Sequence, residues 1–174
     1  WATNLNVITG ANLADYNPLG VQVIQGTGIK PTVGMDVALL GGMYANKITL
    51  IGAEAGVGVN SLGNLSAQAG EFTLDNQGQI TLGGSTTASG NLTIAGNTSI
   101  TNSGTLYSQQ TAQLTSTGDL TNSGLLSAQG NLTLNAANLN STGILGAGID
   151  INGNATQNGN LTIATQNQTV ATGT

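Results

Sequence analysis

Apolar and polar residues alternate along most of this chain in short runs, and the runs recur. Ile48-Thr49-Leu50, Phe72-Thr73-Leu74, Leu92-Thr93-Ile94 and Leu132-Thr133-Leu134 each set apolar side chains two residues apart, with threonine between them. A period of two belongs to a strand with one buried face. No stretch carries the i, i+3, i+4, i+7 spacing of an amphipathic helix. Glycine, asparagine and serine separate the runs, so the pattern predicts short strands joined by tight turns.

The runs belong to a longer repeat. A glycine–x–aliphatic group follows a small polar cluster at Gly41, Gly63, Gly83, Gly104, Gly124 and Gly143, in steps of 22, 20, 21, 20 and 19 residues. Asn102-Ser103-Gly104-Thr105-Leu106 and Asn122-Ser123-Gly124-Leu125-Leu126 occupy the same place in successive units. Three aliphatic columns share the period. The first is Met43, Leu65, Leu106, Leu126 and Leu145, interrupted at Ser85. The second pairs Ile48/Leu50, Phe72/Leu74, Leu92/Ile94, Ala112/Leu114, Leu132/Leu134 and Ile149/Ile151. The third is Val59, Ile80, Ile100, Leu120 and Leu139.

Twenty residues with so few inward side chains cannot offset their own chain entropy, so the units must stack and pair with one another. The predicted fold is all-β: a parallel β-helix, a solenoid of about 20 residues per coil. Left-handed solenoids usually show a strict six-residue repeat, and its absence favours the right-handed form. Eight or nine coils at ~4.8 Å would give a rod of roughly 40 Å. The corner glycines are expected to supply positive-φ turns.

Composition sharpens the picture. Of 174 residues only 5% are charged and 3% aromatic, 27 are glycine, and cysteine and histidine are absent. Stacking explains the missing charge, because a charge repeated at ~4.8 Å would repel its copy, whereas Asn and Thr form favourable ladders. The acids avoid repetition: Glu71 is followed one coil on by Asn91, and Asp75 by Ala95. A net charge of −5 with two basic residues, Lys30 and Lys47, cannot neutralise a row of phosphates, so nucleic acid is excluded as a partner. No apolar run reaches the ~18 residues of a membrane span.

Three stretches divide the single domain of residues 1–174. Residues 11–34 hold both prolines, Pro18 and Pro31, with Tyr16 and Lys30, and break the repeat. They read as an extra-helical hairpin or loop, serving either as a cover over the rod's end or as a contact surface. Regular coils are expected over 37–151. Residues 152–174 read as an irregular last coil around Leu161-Thr162-Ile163 with a Gln/Asn/Thr tail. Neither end carries a polar cap, which predicts that the chain continues in the natural protein.

The string Asp36-Val37-Ala38-Leu39-Leu40-Gly41-Gly42-Met43-Tyr44-Ala45-Asn46-Lys47-Ile48, followed by Gly52-Ala53-Glu54-Ala55-Gly56-Val57-Gly58-Val59, resembles the filamentous haemagglutinin family. Leu5-Asn6-Val7-Ile8-Thr9-Gly10-Ala11-Asn12 and the later Gly-Asn-Leu-Thr and Thr-Asn-Ser-Gly units are similar to it as well. The family comprises large exoproteins exported by two-partner secretion, among them adhesins and contact-dependent growth inhibition proteins. The resemblance implies a right-handed β-helical filament on the bacterial surface. It also implies an outer-membrane two-partner secretion transporter as partner, with a host or neighbouring bacterial receptor or glycan beyond it. Asn17-Pro18-Leu19 departs from the Asn-Pro-Asn-type motifs of the family's secretion signal. The segment therefore reads as the junction between secretion domain and shaft.

Candidate chemistry is sparse. Glu71 and Asp75 differ by four and share a strand face, the arrangement weighed for glycosidase-type catalysis, but neither shows a cationic or histidine neighbour in the sequence. They read as a solvated pair. Asp does not recur per repeat as calcium-binding solenoids require. Thr73, Thr93 and Thr133 form an outward column with Gln113 among them, short of the doubled rows of an ice-binding face. Asn-x-Ser/Thr triplets begin at Asn64, Asn91, Asn97, Asn131, Asn140, Asn154, Asn160 and Asn167; stacking accounts for them, with glycosylation, as on some similar adhesins, the lesser alternative. Met43 and Tyr44 read as inward packing and adjacent surface. No catalytic, cofactor-binding or metal-binding residue is assigned. The expected function is a non-enzymatic shaft segment, with a glycan- or receptor-binding role for 11–34 as the alternative and polysaccharide cleavage as the remote one.

Overall fold

A computed structural model describes residues 2–16 and 18–173. Trp1, the Asn17 of Asn17-Pro18-Leu19 and the tail residue Thr174 lie outside the described residues. The chain begins with β1 (Ala2–Thr9), leaves the rod for β2 (Asn12–Tyr16) and β3 (Leu19–Val23), and returns with β4 (Val33–Val37). β5 (Gly42–Gly52) turns a corner within one strand, and β6 (Gly58–Ser61) completes that coil. Three-strand coils follow. β7 (Asn64–Ala67), β8 (Phe72–Asn76) and β9 (Ile80–Leu82) make one; β10 (Ser85–Ala88), β11 (Leu92–Gly96) and β12 (Ile100–Asn102) the next; β13 (Thr105–Ser108), β14 (Ala112–Ser116) and β15 (Asp119–Asn122) the third. The upper end is β16 (Leu125–Ala128), β17 (Leu132–Ser141), β18 (Ile144–Ala147) and β19 (Leu161–Ala171).

Every pairing on the rod is parallel and runs between a strand and its counterpart one coil away, which makes the chain a parallel β-solenoid of about six turns. Three faces result. The first stacks residues 42–45 of β5 under β7, β10, β13, β16 and β18. The second rises from β1 through β5, β8, β11, β14 and β17 to β19. The third rises from β4 through β6, β9, β12 and β15 to β17 and β19. The expected eight or nine coils are corrected to about six, because residues 10–32 and 148–160 are spent off the rod.

The core is the inside of these columns. The third column, Val59, Ile80, Ile100, Leu120 and Leu139, stacks residue on residue as expected, and Met35 extends it below. The second column holds through Leu132/Leu134, but its top pair is Leu161/Ile163 and not Ile149/Ile151. Twenty-nine residues separate Leu132 from Leu161, and Ile149 and Ile151 lie on the detour between them. β19 continues as one strand through the Gln/Asn/Thr-rich residues 164–171. The first column is interrupted at Thr86, which is fully buried, rather than at Ser85.

That one-residue difference follows from the corner glycines. A Cβ on Gly84, Gly104, Gly124 or Gly143 would collide with the carbonyl oxygen of the glycine one coil below, Gly63, Gly84, Gly104 and Gly124 respectively. The stacked member is therefore Gly84, not Gly83, and the steps become 22, 21, 20, 20 and 19. None of these glycines has positive φ; among the described residues only Gly10, Gly56, Gly148 and Gly153 do. The expectation of positive-φ corners is corrected: glycine recurs because successive coils approach too closely for a side chain.

A buried polar column runs beside the aliphatic ones, two residues beyond the third. Ser61, Leu82, Asn102, Asn122 and Ser141 stack in register. Asn102 Nδ2 donates to Asn122 Oδ1 at 2.7 Å, and Asn122 Nδ2 to Ser141 Oγ at 3.1 Å. The same amides also donate to the backbone carbonyls of Leu125 (3.1 Å) and Ile144 (3.2 Å), which open β16 and β18. Buried amides are tolerated because each finds its partners in the coil above.

Register and glycine packing give two predictions. Thr93 and Gln113 are direct neighbours on β11 and β14, so a Thr93→Cys/Gln113→Cys pair should oxidise readily in the folded protein. Failure to oxidise in a folded double variant would displace this register. Gly104→Ala should lower stability by about 1–3 kcal/mol through overpacking, whereas Gly28→Ala, with nothing within 4 Å, should leave the unfolding midpoint near that of the parent. Equal midpoints in denaturant unfolding would refute the close-approach explanation.

Candidate binding surface

The acidic pair shows no catalytic arrangement. Glu71 and Asp75 both point outward from the second face, with Thr73 between them. At ~3.3 Å per residue their Cα atoms stand about 13 Å apart, beyond the ~5–9.5 Å carboxyl separations of glycosidases. Glu71 does have a cationic neighbour, contrary to expectation: Lys47, one coil below, approaches its carboxylate at 2.9 Å. Sequence proximity hid that contact, since the two lie 24 residues apart. Asp75 stacks between Ile51 and Ala95. The threonine column is longer than expected, running Thr49, Thr73, Thr93, Gln113, Thr133, Thr162. Its neighbour on the same face, Ile51, Asp75, Ala95, Thr115, Asn135 and Ala164, does not double it. Among the described residues no group of three or more acidic, His or Cys side chains could hold a metal ion. None of their helices is long and apolar enough to cross a membrane. Met43 packs against the core and Tyr44 is exposed, and the eight Asn-x-Ser/Thr asparagines are all exposed.

Irregular surface lies on the two detours. The first is the antiparallel hairpin β2–β3, turning near Pro18. Lys30 ties it to the rod, donating to the Ala55 carbonyl at 3.3 Å and standing 4.0 Å from the Glu54 carboxylate. One hairpin face carries Ala14, Tyr16, Leu19, Val21 and Val23, with Tyr16 87% exposed.

The second detour, 148–160, folds down over the first face. It leaves the rod at Gly148, whose φ of 77° suits the reversal and whose carbonyl accepts from Thr156 N at 2.8 Å. Ile149 occupies the space that a side chain on Gly146 would need, and an isolated bridge joins Ile149 to Ala155. Gln157 Nε2 pins the detour to the rod through the Gln129 carbonyl at 2.6 Å. Beneath it run the outward residues Tyr44, Ser66, Thr87, Tyr107, Ser127 and Gly146, stacked one per coil. Tyr107 is only 6% exposed and Ser127 is fully buried. Burial, and after it the negative charge of Asp150, push the Tyr107 phenol up, against an opposing hydrogen bond from Gln129. Between the detour and the rod lies a groove of about 340 Å³, floored by Ser66, Thr87 and Tyr107 and edged by Gln68, Gln109 and Ile151. Sequence reading missed it; the 29-residue step after Leu132 was its only signal.

Asp150 shapes the tip of this detour. Its carboxylate accepts from Asn152 N and Asn154 N, both at 2.9 Å, and from Asn154 Nδ2 at 3.2 Å. Bonds from Asn154, backbone first, hold its carboxyl below the usual 3.8. A lowered native pKa means that the turn's stabilisation is present above the ordinary value and is lost as pH falls through the native one. The Asn152 and Asn154 amide signals should therefore titrate with a midpoint below 3.8, and Asp150→Asn should abolish the titration. An NMR midpoint at or above 3.8 would contradict the turn.

Comparison with known proteins matches the haemagglutinin repeat model over residues 7–85, 61–124 and 121–174. The whole chain is 56% identical to tRNA nuclease CdiA-2 of Burkholderia pseudomallei (strain 1026b), covering 6% of that protein. Over 81 residues it is 48% identical to tRNA nuclease CdiA of Yersinia mollaretii, covering 47% of this chain and 3% of that one. It is 44% identical to 16S rRNA endonuclease CdiA of Enterobacter cloacae subsp. cloacae over the same length, 2% of that protein. The chain thus spans only a few per cent of the relatives it matches. No solved structure matches it.

Proposed function

We propose that this chain, which belongs to the haemagglutinin-repeat family, is a non-enzymatic shaft segment of a large secreted exoprotein of the contact-dependent growth inhibition type. The single observation that carries the reading is full-length similarity to a nuclease-named protein of which the match covers 6%, in a stretch built mainly of stacked coils. A nuclease needs groups that bind phosphate and move protons; this segment offers two lysines, neither beside a clustered acid group, and no histidine. The parent's toxic activity resides outside the solenoid, and the solenoid holds it away from the producing cell. Export runs through an outer-membrane two-partner secretion transporter, and the segment stands at the bacterial surface, where a receptor on a neighbouring or host cell is met elsewhere on the parent. Inter-coil hydrogen bonds supply the stiffness, because bending the rod would break ladders on the stretched side.

A shaft is tolerant to removal of whole coils and intolerant to removal of fractions. Deleting 105–124 joins Gly104 to Leu125, its counterpart's neighbour one coil up, and keeps every column in register. Surface display and growth inhibition by the parent should survive that deletion, while deleting 105–114 should abolish display. Both should vanish when the transporter is deleted. Loss of inhibition in the displayed whole-coil deletion would show that this segment acts itself and would end the shaft reading.

A further inference from the structure

We propose that the free edge of β3 pairs with β3 of a second copy, joining two rods through a four-stranded antiparallel sheet, a role beyond that of a shaft. The rod strands belong to one continuous sheet, but β2 and β3 form a two-stranded sheet of their own. Among the described residues, the only further backbone bond within this hairpin runs from Ile24 N to the Ala11 carbonyl and closes its base. Alternate residues of an edge strand turn their N–H and C=O groups outward, so β3 presents an unbonded row. Two strands alone are marginal in water; three or more over an apolar face make a stable sheet. That face is already present. Ala14, Tyr16, Leu19, Val21 and Val23 share it, with Tyr16 87% and Val23 59% exposed.

Pattern and charge together name the occupant. Edge strands are ordinarily guarded by a charge, a proline or a bulge, and Leu19-Gly20-Val21-Gln22-Val23 contains none of them. The strand is also self-complementary. Paired antiparallel about a two-fold axis at Val21, it sets Val21 against Val21, Leu19 against Val23, and Gly20 against Gln22 of the second copy. Every apolar side chain then stays on one face, and the two hairpins merge into rows such as Ala14–Val21–Val21–Ala14. The acids choose between the two edges. Each copy carries net −5, so the contact must keep carboxylates apart. Pairing through β2 about Ala14 would put the two Asp15 residues at diagonal positions, ~7–8 Å apart. Pairing through β3 separates them by three strand spacings, about 14 Å, beyond the ~8–10 Å screening length. Five residues a side bury less than the ~1,200–2,000 Å² of a stable complex, so the contact is weak in dilute solution. Rods displayed side by side on one surface, as the shaft reading has them, meet at high local concentration.

The test is sedimentation of the whole chain from micromolar to millimolar concentration, beside cysteine crosslinking. The parent should pass from monomer to dimer and stop there, because a two-fold contact closes on itself. Val21→Lys opposes two ammonium groups at the axis and should raise the dissociation constant by about tenfold. Leu13→Lys, equal in charge but on the other strand and face, should dimerise like the parent. The chain has no cysteine of its own, so Val21→Cys places one thiol in each copy. Opposed antiparallel residues lie ~4.5–5.5 Å apart at Cα, within disulfide reach, so Val21→Cys should oxidise to a covalent dimer faster than Leu13→Cys. A chain still monomeric at millimolar concentration would overturn the proposal and leave the edge to a strand of some other protein. Growth beyond the dimer, parent-like dimerisation of Val21→Lys, or equal oxidation of the two cysteine variants would each overturn it as well. If Val21→Lys fails to fold, the cysteine variants decide. None of these results bears on coil deletion and display, so the shaft reading stands or falls separately.

Discussion

Parallel hydrogen bonding between successive coils is the interaction on which everything else in this molecule depends. It places each residue ~4.8 Å from its counterpart one turn away, and that distance governs which side chains are allowed. Inside, aliphatic columns satisfy it by packing like on like. At the corners even a Cβ is too much, which is why Gly84, Gly104, Gly124 and Gly143 lie against the carbonyl of the glycine beneath. On the outer faces it disfavours repeated charge. Seven acids and two lysines on 174 residues are a consequence of the fold. Where acid and base meet, at Lys47 and Glu71, they sit on adjacent coils with opposite sign.

The same constraint makes the buried amides work. Asn102 and Asn122 would be costly alone in an apolar interior. Stacked, each gives its amide protons to the residue above and to the first carbonyl of a following first-face strand, so the column links the third face to the first. Ser61, at the foot of that column, has no partner because the residue stacked on it is Leu82. A ladder needs continuity, and a single apolar rung ends it.

The coil pattern is broken where the chain leaves the rod. The β2–β3 hairpin and the 148–160 detour hold the residue variety that stacking forbids elsewhere, with Tyr16 on one and Asp150 and Ile151 on the other. They differ in kind. The hairpin projects an apolar face from the rod, whereas the detour lies back on it, burying Tyr107 and Ser127 and building a walled groove. A uniform solenoid is thereby given a local feature without disturbing the coils above and below.

Periodicity alone determined the class of fold, the strand period, the third column and most of the other two, because every coil repeats the same contact and the repetition is written along the chain. Read along the chain, Glu71 and Asp75 are a solvated pair for want of a cationic neighbour, a reason that Lys47, one coil below, removes for Glu71. Tertiary structure decided what repetition leaves ambiguous. Gly83 and Gly84 are equivalent by composition, and only the clash with Gly63 selects the second, moving the interrupted rung from Ser85 to Thr86. Ile149/Ile151 fits the strand pattern as well as Leu161/Ile163 does; the column takes the latter because Gly148 turns the chain outward first. Lys47 meets Glu71, and the groove closes, through contacts between coils. Such contacts join residues twenty or more positions apart, where no local pattern of side chains records them.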